Sequence, residues 1–297
     1  MSKINFECIH DLPTAKQLWL EFSPDKIIYD NWDFRYCFYQ DNQFDLYFYV
    51  GQIDGKNIGL LPLQFNTRRH CLEFFGSAYM EDNQVFIKPE YEKYIPEFYQ
   101  LINQQTQLED IIGRDSFTQS LELLEYKYVA DLSDVKNLDD YLKKYFRNKR
   151  RKNLLKIIEI VENKQPQIFY DQKEDLSRLM ELNRKNFGEE SSFSDPLFTK
   201  VFDYLMSINL NFHLITIVIN NIKESVSLAV KYKDTYTYMN AGTNKKDHPN
   251  LGSYINLKNI ELAINLGCKT FDAGVEDLGW KEKWHLDKIS QYKFYKD

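Results

Sequence analysis

Glycine is scarce, with only 11 in 297 residues, and proline is scarcer at eight. Four cysteines (Cys8, Cys37, Cys71, Cys268) stand far apart, with no CxxC pair and no Cys/His set at zinc spacing. They read as reduced cytoplasmic thiols. The five histidines (His10, His70, His213, His248, His285) are equally scattered, so no metal site is expected. No window approaches 18 consecutive apolar residues, which excludes a spanning helix. Met1 to Leu20 carries Glu7, Asp11 and Lys16 and no apolar centre, so no secretory leader is expected there. A uniform basic excess is also missing. Net charge is −6, which argues against a general nucleic-acid binder while leaving room for a local patch.

Hydrophobic residues make up 43% and charged residues 28%, the balance of a globular chain. With 21 Tyr and 21 Phe, large cores are easily built. Periodicity predicts helices over Leu12–Phe22 and Tyr91–Thr106, and an aromatic segment at Trp32–Tyr39. Asp54-Gly55 separates two β-forming runs within 44–66, a hairpin signal. Pro62 lies in the second run and predicts a bulge or an edge there. Further strands are expected at 71–75, 108–112 and 126–132. The second half repeats this order. Helices are expected at 173–187, 196–208 and 252–266, and strands at 212–219, 225–231, 235–240, 269–271 and 292–295. The order is mixed α/β rather than strict βαβ alternation. The expected division is 1–133, an inter-lobe basic helix over 134–164, and 165–297.

That inter-lobe segment concentrates charge. Lys143 to Lys156 holds eight Lys and Arg and no acid; removing those eight from 38 leaves 30 against 44 acids elsewhere. Asp134, Asp139 and Asp140 precede the basic centre and suit a helix N-terminus. Apolar stripes (Leu138, Leu142, Tyr145, then Leu154, Leu155, Ile158, Val161) are interrupted by RNKRRKN at 147–153. Charge there occupies every helix face, and any buried part needs an anionic partner. Arg147, Arg150 and Arg151 are the candidate phosphate clamps, since guanidinium binds phosphate bidentately. A solvated helix face, or pairing with carboxylates, is the plainer reading.

Five of the 11 glycines (Gly242, Gly252, Gly267, Gly274, Gly279) fall close together near the C-terminus. A strand ending Asn240-Ala241-Gly242 leads through a polar loop to Pro249-Asn250-Leu251-Gly252-Ser253, which opens a helix. Free amides at that start, with a glycine permitting close approach, form a candidate anion site; alternatively Asn250 is an ordinary N-cap. Next, Phe271-Asp272-Ala273-Gly274 ends a short strand, followed by Glu276 and Asp277. A carboxylate at such a strand end can take a proton from an amine, or can cap the turn. In Trp280-Lys281-Glu282-Lys283-Trp284-His285 both tryptophans favour core packing. Lys281 and Lys283 can face a developing oxyanion or a phosphate, or water.

Taken in order, strand-NAG, polar loop, PNLG helix, LG, FDAG and WKEKWH resemble the C-terminal lobe of double-GNAT acyltransferases, the FemABX peptidoglycan aminoacyltransferases and the CelD-type group. Gly59-Leu60-Leu61-Pro62-Leu63 is similar to their N-lobe strand, and Asp139-Asp140-Tyr141-Leu142 leading into 147–152 to their basic inter-lobe helix. The resemblance runs from about Trp19 to the C-terminus. It implies two tandem GNAT-like lobes with the substrate cleft between them, and a cytoplasmic transferase that moves an acyl or aminoacyl group to an amine. The donor is acyl-CoA as co-substrate, with no permanently bound cofactor, or an aminoacyl-tRNA. Donor phosphates are then expected on Asn250, Leu251, Gly252 and Ser253 together with Arg147, Arg150 and Arg151. Asp272 or Glu276 would accept the amine's proton, and Lys281 would stabilise the tetrahedral intermediate. Tyr79 to Asn83 is expected near the acceptor, or as an ordinary polar turn. The chain departs from the superfamily's R/Q-x-x-G-x-G/A pattern. At 247–252 it reads DHPNLG, with one glycine and no arginine, which leaves the donor open. A non-catalytic relative binding a nucleotide, glycan or RNA is the competing expectation.

Overall fold

A computed structural model describes residues 3–76, 79–277 and 279–297. The chain divides into two units, Met1–Lys127 with Ile289–Asp297, and Tyr128–Lys288. This differs from the division expected from the sequence: the basic segment lies wholly within the second unit, and the last strand returns to the first.

The first unit opens with β1 (Asn5–Ile9), then α1 (Leu12–Phe22) and α2 (Trp32–Tyr39). Asp11 caps α1 by accepting from the Thr14 amide at 2.9 Å. Asn31 caps α2 through Phe34. β2 (Asp45–Ile53) and β3 (Lys56–Asn66) form the expected hairpin, with Asp54 at φ +49° and Gly55 at φ +74°. Two successive positive φ values match the twist of the flanking strands.

Pro62 behaves differently from the expectation. It pairs with Phe48 inside an interior strand, and the register shift falls at Gly51/Gln52 instead. Its missing N–H is tolerated because the neighbour on the other side changes there. β4 (Cys71–Phe74) pairs from Leu63 onward, whereas β5 (Phe86–Ile87) pairs with Gly59 and Leu60.

The helix expected at 91–106 is shorter: a 3₁₀ segment at Pro89–Tyr94 continues as α3 (Ile95–Gln100). Thr106 already belongs to β6 (Thr106–Ile112). β7 (Glu122–Asp131) then carries the chain across the unit boundary. Within the first unit the strand order is β1-β2-β3-β4-β6, and the chain's last strand, Asp287–Lys296, adds antiparallel to β6. Trp19, Phe48, Phe75 and Phe86 form the core on one face, and Leu61, Leu63, Phe98 and Leu108 on the other.

Arg35 organises this unit from within. It is 1% exposed. Its guanidinium donates to Tyr29 O (2.6 Å), Phe75 O (2.7 Å), Asn83 Oδ1 (2.8 Å) and Asp82 O (2.9 Å). Burial lowers its pKa to about 10, opposed by the charges of Asp30 and Asp82. Asp82 in turn pairs with buried Lys127 and accepts from Gln291 at 2.9 Å.

On β6, residues 109 and 110 bulge opposite Lys293 of the last strand, since Ile111 pairs with Tyr292 and Leu108 with Phe294. Asp110 sits there at φ +54° and 8% exposed. Burial, followed by the charges of Glu125, Glu81, Glu109 and Asp82, pushes its carboxyl up to about 8.

The second unit begins with the end of β7. α4 (Leu138–Tyr145) follows, capped by Asn137, with Asp139 and Asp140 in its first turn and Lys143 and Lys144 in its last. The single basic helix expected over 134–164 is two helices. Phe146 (φ −126°, ψ 131°) and Arg147 (ψ 159°) are extended, and α5 runs Asn148–Glu162. No glycine or proline causes the break. It turns Phe146 inward, 3% exposed, against Tyr141 and Trp284.

β8 (Gln167–Tyr170), α6 (Leu176–Phe187) and α7 (Pro196–Ser207) follow. The meander β9 (Asn211–Ile219), β10 (Ile222–Tyr232) and β11 (Thr235–Thr243) comes next. Then come α8 (Leu251–Asn265), β12 (Thr270–Asp272) and β13, the last strand described above. Sheet order in this unit is β7-β12-β11-β10-β9-β8. β12 runs parallel to β11 and antiparallel to β7.

Two stability predictions follow from the first unit. Arg35→Met strands four buried acceptors and is expected to cost on the order of 3–5 kcal/mol in chemical denaturation. For Asp110 the native carboxyl keeps a proton that the unfolded chain releases above its ordinary pKa of about 3.9. Its contribution to stability therefore falls as pH rises from about 4 to 8, by up to about 1.4 kcal/mol per pH unit. Asp110→Asn removes this slope, so the stability difference between variant and wild type should widen in the variant's favour between pH 5 and 7.

Candidate functional site

β11 and β12 pair over only three positions, Thr235–Thr237 against Thr270–Asp272. β12 then ends, while β11 continues six residues to Thr243. The residues after β12 turn the other way: the Ala273 amide donates to Tyr128 O (2.8 Å) and the Tyr128 amide to Gly274 O (3.1 Å). The parallel pair therefore splits beyond Asp272. A bulge sharpens the divergence, because Leu228 pairs with Asn240 and Ala229 with Tyr238, leaving Met239 as the extra residue.

Beyond the split, α6 closes on β11. Asn183 donates to Ala241 O (3.0 Å) and Asn186 to Thr243 O (2.9 Å). Gly242 permits this approach, since a Cβ there would meet Leu179 O at 2.5 Å and Leu182 Cβ at 2.6 Å.

On the opposite face α8 is bolted to the sheet by buried amides. Asn259, 0% exposed, accepts from Tyr236 Oη and donates to Ser227 Oγ, each at 2.8 Å. Asn256 accepts from Tyr238 Oη at 3.1 Å. Burial pushes both tyrosine hydroxyls above their ordinary pKa, so they remain donors. The start of α8 is thereby fixed relative to the split. The Leu251 amide donates to His248 O (3.0 Å) and that of Tyr254 to Asn250 O (3.1 Å). The amides of Gly252 and Ser253 have no acceptor within the helix. Asn250 is at the cap position with helical backbone, and its side chain makes no capping bond. Leu251 is fully buried and serves the core. A Cβ on Gly252 would meet nothing within 4 Å.

Asp272 is 2% exposed, and its Oδ1 accepts from the Gly274 amide at 2.9 Å, closing the turn. Glu276 is exposed at φ +56°. Lys281, 6% exposed, donates to Val275 O and lies 5.7 Å from the Tyr128 ring and 6.0 Å from that of Trp280. Asp272, Glu276 and Lys281 thus share one turn around Tyr128. Asp277 builds that turn by accepting from the amides of Trp280 and Lys281 (both 2.8 Å) and Glu282 (3.2 Å). Burial alone would raise its carboxyl; these bonds, with Gly279, outweigh it and hold the pKa low. Trp280 meets Tyr238 (6.4 Å) at the split and Trp284 edge-on (5.9 Å).

The basic turn is not brought to the start of α8. Glu162, the last residue of α5, bonds Tyr254 in the first turn of α8, and Val161 packs on Leu251 and Ile255. The helices run antiparallel, so Arg147 to Arg151 lie at the far end of α5, about 20 Å along it. A single pyrophosphate cannot rest on both groups together. The basic turn instead neighbours the WKEKWH segment, where Phe146 packs on Trp284 (6.0 Å) and His285 (5.7 Å). Arg147 is exposed, Arg150 and Arg151 are half-buried, and Arg151 bonds Asn148 Oδ1 at 3.2 Å.

Tyr128, Asp277, Asn183 and Asn259 shape this region and were not among the expected site residues. Of these, only Asp277 carried a signal, lying in an acidic run beside Glu276.

Residues 143–282 match the family model described as an acetyltransferase (GNAT) domain. FemX has a similar structure at a TM-score of 0.63 and 10% identity, covering 97% of this chain and 96% of that one. L-PGS from Bacillus licheniformis follows at 0.59 and 13%, covering 90% and 92%. A tandem GNAT protein from the clavulanic acid biosynthesis pathway gives 0.57 and 9%, covering 99% and 98%. No curated protein matches the chain by sequence. The chain is similar to the double-lobed GNAT-type acyltransferases of the FemX kind, and its mixed α/β fold in two lobes is theirs.

Asn259→Ala leaves the Tyr236 hydroxyl and Ser227 without their shared partner. It is expected to cost about 2–4 kcal/mol in denaturant unfolding, while Asn265→Ala at the other end of α8 changes little.

Proposed function

We propose that the protein is an N-acyltransferase whose donor binds in the second unit, along the split between β11 and β12. The start of α8, where the amides of Gly252 and Ser253 have no acceptor within the helix, no side chain caps it and the Cβ position of Gly252 is unobstructed, carries this reading. A helix start with free amides takes a phosphate. A donor phosphate there leaves the acyl chain to run along β11 toward the Asp272 turn. Acyl-CoA fits this path. The tandem GNAT protein, described in its form without AcCoA, supports the same class.

At the turn, Lys281 provides the cation for the oxyanion that forms when an amine attacks the carbonyl. Its head is already held by Val275 O and two aromatic faces, which orients it before substrate arrives. Glu276, exposed beside it, takes the amine's proton. Asp272 closes the turn through Gly274 and acts as a positioning residue. Much of the rate comes from holding amine and carbonyl together.

The basic turn at Arg147–Arg151 supports a second donor class. An aminoacyl-tRNA would lay its phosphate backbone on those guanidinium groups, with affinity that falls steeply with salt. No described helix is long and apolar enough to cross a membrane.

Gly252→Val adds atoms into open space, so folding should be unchanged. Acetyl-CoA binding, read by calorimetry, should weaken by at least about tenfold as the phosphate loses its close approach. Lys281→Met keeps the stem on Tyr128 and Trp280 and removes the charge; kcat with a responsive amine acceptor should fall by about 10²-fold with the donor's KM little changed. Wild-type donor binding in Gly252→Val and wild-type turnover in Lys281→Met would together sink the assignment. Binding of charged tRNA without CoA affinity, lost in Arg150→Gln/Arg151→Gln, would move it to the second donor class.

A further inference from the structure

The first unit contains a pocket that the transfer reaction does not use. Glu73, Met80, Asn83, Glu109, Asp110 and Arg69 line it. Two of its three carboxylates are already partnered. Glu73 accepts from Gln64 (2.7 Å) and Asn66 (3.0 Å) and lies 3.5 Å from Arg69. Glu109 accepts from Tyr295 Oη and lies 3.8 Å from Arg69.

Asp110 is the exception. Its Oδ1 is buried without a hydrogen-bond partner, although the residue is only 8% exposed. The bulge on β6 puts it at φ +54°, a conformation that costs energy for a residue other than glycine. Asn83 holds its backbone firmly: the Asn83 amide donates to Asp110 O, and Asn83 Nδ2 to Glu109 O, both at 2.9 Å. A buried acceptor with no donor costs free energy that native structures rarely leave unrecovered.

The missing partner must bring N–H groups and positive charge, because three carboxylates face a single guanidinium. Among the described residues no His, Cys, Asp and Glu group is arranged to hold a metal ion. Phe74 and Met80 are the pocket's apolar lining residues.

We propose that this pocket binds the ammonium head of a primary alkylamine, with Asp110 as its counter-ion. On binding, the neutral Asp110 carboxyl gives its proton to the buffer and the resulting carboxylate pairs with the ammonium. An amine held in this way is protonated and is no nucleophile, so the pocket anchors a cation rather than activating it. The proposal is independent of the acyl-transfer reading, and binding alone tests it.

The probe is n-butylammonium, with n-butanol as its uncharged counterpart. Calorimetry at pH 7 in phosphate and in MOPS, which differ in ionisation enthalpy, counts the protons released. The expected result is saturable binding of butylammonium with release of a substantial fraction of one proton, and no binding of butanol. Asp110→Asn, which tolerates the same backbone conformation, should weaken binding by at least about tenfold and abolish proton release. The proposal is overturned if wild type fails to bind butylammonium, if it binds butanol equally well, or if binding releases no proton. The wild-type measurements stand even where the variant folds poorly. Undiminished binding by a folded Asp110→Asn protein would overturn it too.

Discussion

The arrangement of the second unit depends on one buried amide. Asn259 lies on a helix that is apolar on nearly every side, so hydrophobic packing alone would let α8 slide or rotate over the sheet. Three hydrogen bonds from its two side-chain polar atoms remove that freedom, tying the helix to β10 and β11 and to its own preceding turn. Leaving either atom unpaired in the core would cost more than a single bond gains, so only one register is tolerated. The amides at Gly252 are consequently held in one position relative to β10 and β11. The free amides at this helix start are backbone, and the side chain that positions them lies two turns away.

Arg35 plays the corresponding part in the first unit, with a different chemistry. Its donors go to three backbone carbonyls and one side-chain amide. A planar cation with five N–H groups can gather several chain segments where a lysine could not. It draws the segment after α1, the end of β4 and the 82–83 turn into one cluster. The carboxylates around it are then left to share Lys127, Gln291 and each other, and the Asp110 carboxyl is pushed up by burial and then by its acidic neighbours.

Much of the fold was legible in the sequence because local signals agreed with it. Asp11 and Pro13 start α1 where expected, and Asp54-Gly55 turns the hairpin with both residues at positive φ. The meander β9 to β11 follows its β-forming runs. Illegible features were those decided by distant packing. The break at Phe146 carries neither proline nor glycine and exists because an aromatic ring fits against Trp284. Pro62 occupies an interior strand because two different partners meet beside it. For the site, Gly252, Asp272 and Lys281 could be singled out by residue type and order, and the turn around Tyr128 brings the last two together. That the basic turn lies a helix-length from Gly252 could not be read, since it depends on α5 and α8 running antiparallel.

The last strand leaves the second unit at Lys288 and completes the sheet of the first, where Gln291 is fully buried against Glu81 and Asp82. The second unit is therefore an insertion within the first. On the ribosome, residues 128–288 emerge as an uninterrupted stretch and can close their core while the N-terminal portion still lacks its final strand. The order of synthesis and the order of completion are opposed: the portion begun first closes its sheet after the second unit has been made, and β6 stands as an open edge until residues 291–296 reach it.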